Sequence, residues 1–251
     1  MYNLLISIAA GLVGFLIFRV AGLTTWQSIL PGLVALVGSY FYLARRTGKI
    51  VEEIFARVGK ELQQRKLDKA VELLEAARPL GKWQFLMEAQ LDAQIGILLY
   101  VQKKFDEAEP HLAKAYKSKA FVKIGTANAM LAAQFYRRKE WAKMEETFEG
   151  AITNNKGDSL LYAVFAWCQD KRGEAKKSIE VLTRGVKEVP SDAKLKTLLE
   201  RAQNDKRLKL DAFGEQWYQF WLESPPMVQQ GGFGGGGFGL RGMRGGGRRM
   251  R

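Results

Sequence analysis

The chain opens on two long apolar runs. From Leu4 to Phe18 no residue is charged, and extending the run to Leu23 gives about 20 residues with Arg19 as the one charge near its end. A helix of that length measures ~30 Å, enough to cross a hydrocarbon core. Trp26 to Ala44 forms a second run of spanning length, with Pro31 in its first turns, where it disturbs few helix bonds. Tyr2, Trp26, Tyr40 and Tyr42 lie near the ends of the runs, where interfacial aromatics collect. A cleaved signal peptide would explain the first run alone, but Met-Tyr-Asn lacks a basic n-region and a second span follows after a few residues. The pattern predicts a transmembrane hairpin over 1–46. The small residues Ala9, Ala10, Gly11 and Gly14 would let Gly32, Ala35 and Gly38 of the second helix come close.

After about residue 50 the spacing becomes amphipathic. Ile54, Val58 and Leu62, then Leu67, Val71, Leu74 and Ala77, recur at helical intervals. No stretch alternates convincingly with period two, and breaks fall at 63–66, 79–82, 103–104, 154–157 and 171–173. The phrase LDKAVELL at 67–74 returns as FDEAEPHL at 105–112, WAKMEETF at 141–148 and AKKSIEVL at 175–182, with starts 38, 36 and 34 residues apart. Such a period means one helix pair per unit. Upstream of the last three phrases a large residue precedes a small one: Ile95-Gly96, Leu131-Ala132, Phe165-Ala166. Ser191 and Asp192 are good N-cap residues for a charged amphipathic helix over 191–208, suited to close the array.

These units resemble the tetratricopeptide repeat family. In the last unit Tyr162, Phe165-Ala166, Gly173, Leu182, Gly185 and Pro190 occupy the family's large, small and turn positions. The second unit matches through Ile95, Gly96, Leu99, Phe105, Ala108, Leu112 and Ala115. The third matches through Leu131, Ala132, Phe135, Trp141, Phe148 and Ala151. The first is degenerate, with Arg57-Val58 at the large–small site. The expected fold is all-α: a transmembrane hairpin at 1–46, a tetratricopeptide-like α-solenoid at 47–208, an aromatic helix and proline linker at 209–226, and a disordered Gly/Arg-rich tail at 227–251. An irregular helical bundle is the alternative.

Net charge is +13, but its distribution argues against a basic domain that grips nucleic acid. Residues 1–46 hold three basic groups and no acid, residues 227–251 five arginines and no acid, and the middle holds 31 basic against 26 acidic groups. One cysteine, Cys168, and one histidine, His111, exclude a disulfide framework and multi-ligand zinc sites built from those residues. The glycine-rich GGFGGGGFG follows no strand and opens no helix, so it is not a dinucleotide fingerprint. The expectation is a non-catalytic protein without cofactor or metal.

The resemblance implies a concave face lined by the first helix of each unit. Its partner-binding residues would be Ile97, Tyr100, Tyr136, Arg137, Trp167 and Lys171, an apolar lining with a basic edge suited to an amphipathic helix. A second candidate lies at 211–223, where Phe213, Trp217, Phe220 and Trp221 fall at helical spacing. Such a patch is a liability in water. The segment is expected to fold back onto the repeats, burying Trp217 and at least one of Phe213, Phe220 and Trp221; the alternative is a docking helix for a partner or membrane surface. In the tail, Arg241, Arg244, Arg248, Arg249 and Arg251 lie among 11 glycines and two phenylalanines within 231–251, a composition that cannot build a core. They would contact RNA, anionic lipid or protein, or serve as solvated spacer. Nucleic acid is expected only through this tail, and self-association through hairpins or repeat ends stays open.

Arg45, Arg46 and Lys49 follow the second run at once, and the connecting loop has only Arg19. The positive-inside rule then puts the repeats and both termini in the cytoplasm. The resemblance of a hairpin-plus-repeat layout suggests a bacterial inner membrane. The expected function is a membrane-anchored scaffold for protein partners, probed against an RNA- or lipid-tethering alternative through the tail.

Overall fold

The computed structural model describes residues 2–22, 24–83, 87–118 and 124–225, and all regular structure among them is helical. Helix α1 spans Tyr2–Val20 and α2 spans Thr25–Gln63. They pack antiparallel along most of α1. Both are long and apolar enough to cross a membrane. Gly22, with φ +90°, turns the chain between them in a conformation that only glycine adopts without strain.

The contact between α1 and α2 is made of small and polar groups. A Cβ on Gly11 would lie 2.8 Å from the Leu36 Cβ, one on Gly14 would lie 3.1 Å from the Ala35 Cβ, and one on Gly32 would lie 3.0 Å from the Gly11 carbonyl oxygen. Backbones this close gain dispersion contacts that do not depend on expelling water. Asn3, Ser7, Ser28 and Thr47 are also buried, and the Asn3 Nδ2 donates to the Thr47 Oγ1 at 3.1 Å. Gly38, expected in this contact, faces open space instead. Outward, Leu5, Leu12, Leu16, Ile17, Leu30 and Phe41 are all exposed, with Leu5 and Ile17 at 60%. The hairpin thus has its polar groups inside and its apolar ones outside.

No break separates the second apolar run from the first amphipathic helix. The boundary at residue 46 lies inside α2, which continues as one helix through it to Gln63. Backbone bonding is indifferent to the change from apolar to charged side chains, and Gly48 interrupts nothing.

Helix pairs follow. The last part of α2 packs on α3 (Leu67–Ala76), and a single turn α4 (Arg78–Gly81) leads toward α5. Then α5 (Met87–Val101) packs on α6 (Phe105–Lys117), α7 (Gly125–Arg137) on α8 (Trp141–Asn154), and α9 (Ser159–Lys171) on α10 (Ala175–Glu188). First helices also touch in succession, α5 on α7 and α7 on α9. Helix α11 (Ala193–Gln203), capped by the Asp192 carboxylate on the Lys194 N–H at 2.8 Å, covers α10 and α9.

The four pairs share one turn. Arg65, Lys103, Lys139 and Gly173 have φ between +59° and +90°, each two residues before the next helix. The residue after each donates its N–H back five positions: Lys66 to Glu61, Lys104 to Leu99, Glu140 to Phe135 and Glu174 to Gln169, at 2.9–3.0 Å. This is a Schellman ending, which satisfies carbonyls that the last helical turn leaves open. The second helices bury equivalent positions: Leu74, Leu112, Phe148 and Leu182, and then Ala77, Ala115, Ala151 and Gly185. Small residues are required at the pair contacts. A Cβ on Gly96 would lie 2.7 Å from Leu112, and one on Gly185 would lie 2.8 Å from Tyr162.

Candidate functional site

The first helices α5, α7 and α9 build one lined face. Tyr100 is wholly buried near the end of α5, Arg137 ends α7, and Trp167 lies on α9 with 4% exposure. Tyr136 meets the Trp167 ring at 5.8 Å, and the Lys171 Nζ stands 5.4 Å from it. Ile97 is buried on the same helix as Tyr100. The Arg137 guanidinium stands 5.4 Å from the Tyr100 ring, so Tyr100, Tyr136, Arg137, Trp167 and Lys171 lie along one face.

That face is covered by the chain's own C-terminal segment. Leu208 and Leu210 are buried, Asp211–Phe213 form a single 3-10 turn, and Glu215–Tyr218 form one helical turn, α12. Trp217 and Phe220 are wholly buried, Phe213 nearly so, and Trp221 partly. The continuous aromatic helix expected over 211–223 does not form. Gly214, at φ +58° and ψ −138°, and Trp221, at φ +52°, break the helical path so that the aromatics wrap the face as a strap.

Polar contacts fix the strap's end. The Tyr100 hydroxyl donates to the Phe220 carbonyl at 2.9 Å. The Arg137 Nη2 donates to the same carbonyl at 2.7 Å and to that of Trp221 at 3.0 Å. The Trp221 indole donates to the Val101 carbonyl at 3.3 Å, beneath the Lys103 ammonium 4.0 Å from its ring. The Arg137 guanidinium also stacks 4.0 Å over Phe105. Burial pushes the Tyr100 phenol up, against the opposing pull of Arg137, so it stays a neutral donor. Trp217 meets Trp167 edge-on at 5.1 Å. The Tyr218 hydroxyl, pushed up to about 12 by burial and by Asp211, donates to that carboxylate at 2.9 Å. Three donors under the strap, the indole nitrogens of Trp167 and Trp217 and the Arg137 Nη1, meet no acceptor, so apolar burial drives the docking.

Val101 and the repeat residue Phe105 share this contact with Lys103, which no sequence pattern singled out as a site residue. Two charge clusters were also not anticipated. The nearly buried Asp92 of α5 gathers Arg78, His111 and Lys114. Its sequence signal is an acid beyond the first turn of a largely apolar helix, one turn after Glu88. On α8, Glu145 accepts from Arg172 at 2.5 Å, Lys177 at 3.0 Å and Gln169 at 3.1 Å. It lies in an open groove lined also by Glu149, Glu180, Val181 and Arg184.

Burial alone would raise the Glu145 carboxyl, but the hydrogen bonds from Lys177, Gln169 and Arg172 outweigh it and hold it at about 2. A carboxyl lower in the folded than in the unfolded chain stabilises above its ordinary value near 4.5, and that stabilisation is lost as pH falls toward about 2. With the side chain 30% exposed, screening leaves a contribution on the order of 1–2 kcal/mol. Glu145→Gln is expected to make the urea midpoint less pH-dependent between pH 4.5 and about 2, read by circular dichroism. An unchanged slope would show that the pairing does not stabilise the fold.

Cys168 is fully buried and its thiol is pushed up by desolvation, away from the reactive thiolate. Among the described residues no group of three or more His, Cys, Asp or Glu side chains could hold a metal ion. Arg241, Arg244, Arg248, Arg249 and Arg251 lie outside the described residues. In comparisons with known proteins, no family model and no curated protein matches the chain.

Proposed function

We propose that the protein is a membrane-anchored, non-catalytic scaffold. Its hairpin spans a membrane, and its tetratricopeptide-like pairs form a solenoid on the cytoplasmic face, of a bacterial inner membrane by layout, where they hold protein partners. The observation that carries it is the inverted hairpin. An α1–α2 pair with buried Asn3, Ser7, Ser28 and Thr47 and an apolar exterior suits lipid and not water. Four pairs in register, with one shared turn and equivalent buried positions, support the repeat reading. The basic residues Arg45, Arg46 and Lys49 at one end of the spans support the orientation.

The strap changes where partners would bind. Tyr100, Arg137 and Trp167 are engaged by the chain itself, which supports a docking surface on the charged faces of α8 and α10 beside the Glu145 groove.

Single cysteines at exposed Thr25 and Lys156 test the topology in intact cells with a membrane-impermeant maleimide. Thr25→Cys should label from outside and Lys156→Cys only after permeabilisation. Labelling of Lys156→Cys in intact cells overturns the orientation. Co-purification in mild detergent tests the scaffold: partners should persist when 227–251 are deleted. If the hairpin alone retrieves the same partners, the helix pairs are not the scaffold.

A further inference from the structure

The folded part exposes little apolar surface, and what it exposes is at one level. Beyond Tyr42, Ile50 at 42% and Trp83 at 39% are the large apolar side chains left exposed among the described residues. Both lie beside the first turn of α1. The Tyr2 N–H donates to the Lys82 carbonyl at 3.0 Å and the Asn3 N–H to the Trp83 carbonyl at 3.3 Å. The Tyr2 and Trp83 rings meet edge-on at 5.5 Å. Asn3 also bonds Thr47, one turn before Ile50. First-turn N–H groups have no partner within their own helix, and here the Lys82–Trp83 turn supplies one.

Basic side chains share this level. Arg45, Arg46 and Lys49 are exposed and have no carboxylate partner among the described residues, and the first acid in the chain is Glu52. The far end of the hairpin, at Trp26, has only Arg19. Exposed indole and unpaired cations at one boundary of an apolar pair match the chemistry of an anionic leaflet, where tryptophan takes the headgroup level and arginine the phosphates.

We propose that this level is an anionic-lipid-binding collar. Lipid phosphates engage Arg45, Arg46 and Lys49, Trp83 enters the interface beside Tyr2, and the turn at 82–83 is pinned to the bilayer, which fixes the start of α5 against it. The collar rests on the hairpin spanning the membrane and is independent of the tail.

The test is quenching of tryptophan fluorescence by brominated lipid, using the full chain in nanodiscs of neutral phosphatidylcholine. A fixed minor fraction of either brominated phosphatidylglycerol or brominated phosphatidylcholine is included. Differences from Trp83→Phe and Trp26→Phe isolate the two residues. Trp83 should be quenched by both lipids, at least about two-fold more by the anionic one. The preference should vanish in the triple variant Arg45→Gln, Arg46→Gln, Lys49→Gln and survive truncation after residue 225. Trp26 should be quenched without preference. Quenching of Trp26 but not Trp83 overturns the collar and leaves the hairpin standing. Quenching of neither removes the spanning hairpin and the collar with it. A preference that survives the triple variant, or that disappears with the tail, overturns the assignment to these three residues.

Discussion

Trp217→Ala is expected to lower the unfolding free energy by about 3–5 kcal/mol, the largest single effect of any apolar truncation in the strap. Trp217 is wholly buried, meets Trp167 edge-on at 5.1 Å and touches Phe220 at 6.4 Å between ring centroids. Its loss opens a cavity between α9 and the strap that neither can close, because Tyr100 and Arg137 hold the strap's end by its carbonyls. Urea unfolding of the full chain in mild detergent, followed by circular dichroism, reads the change. Trp221→Ala, at a partly buried site, should cost about 1 kcal/mol. If Trp217→Ala shifts the transition no more than Trp221→Ala does, the strap is not part of the cooperative fold.

Asp92→Ala is expected to cost about 3 kcal/mol, at the lower end of what breaking a buried ion cluster costs. The carboxylate is 2% exposed, with the Arg78 Nη2 at 3.1 Å, the His111 Nδ1 at 3.0 Å and the Lys114 Nζ at 3.3 Å. It ties the α4 turn to α5 and α6. The lower end applies because Arg78 and Lys114 are partly exposed and regain water once the acid is gone. The exposed Asp68–Lys104 pair, at 2.9 Å, is the control, and Asp68→Ala should cost under about 1 kcal/mol. Equal losses in the two variants would show that burial adds nothing to the Asp92 cluster.

The helices were legible because their burial follows a sequence period. Leu74, Leu112, Phe148 and Leu182 stand at matching places in the repeated phrases, and all four are wholly buried in the second helices. The turns were less legible. Of the four left-handed residues only Gly173 is glycine, whereas Arg65, Lys103 and Lys139 adopt the same conformation with side chains that do not advertise it. The change to charged residues after Ala44 reads as a boundary, yet α2 crosses it without a break. At the candidate face the lining of Tyr100, Tyr136, Arg137, Trp167 and Lys171 comes from the repeat resemblance, and the aromatic segment is expected to fold back and bury Trp217, as it does, but the shape of that cover was not legible. Periodicity places Phe213, Trp217, Phe220 and Trp221 on one helix, whereas the backbone at Gly214 and Trp221 turns away to follow the surface beneath it. Asp92 and Glu145 depend on partners 14 to 32 residues away, which spacing within one helix does not reveal.

The unbroken α2 makes the molecule a lever. At 1.5 Å per residue its 39 residues reach roughly 58 Å. About half lies beyond Arg45 and carries α3 directly on its last turns. With the hairpin in a bilayer, the first half tilts to match hydrocarbon thickness, and a typical tilt is about 20°. No hinge lies between the halves, so the same angle swings the outer end by roughly 9 Å over a ~27 Å arm. In that setting a thinner or thicker bilayer resets the height and slant of the whole array of helix pairs, and membrane composition becomes an input to its distance from the surface.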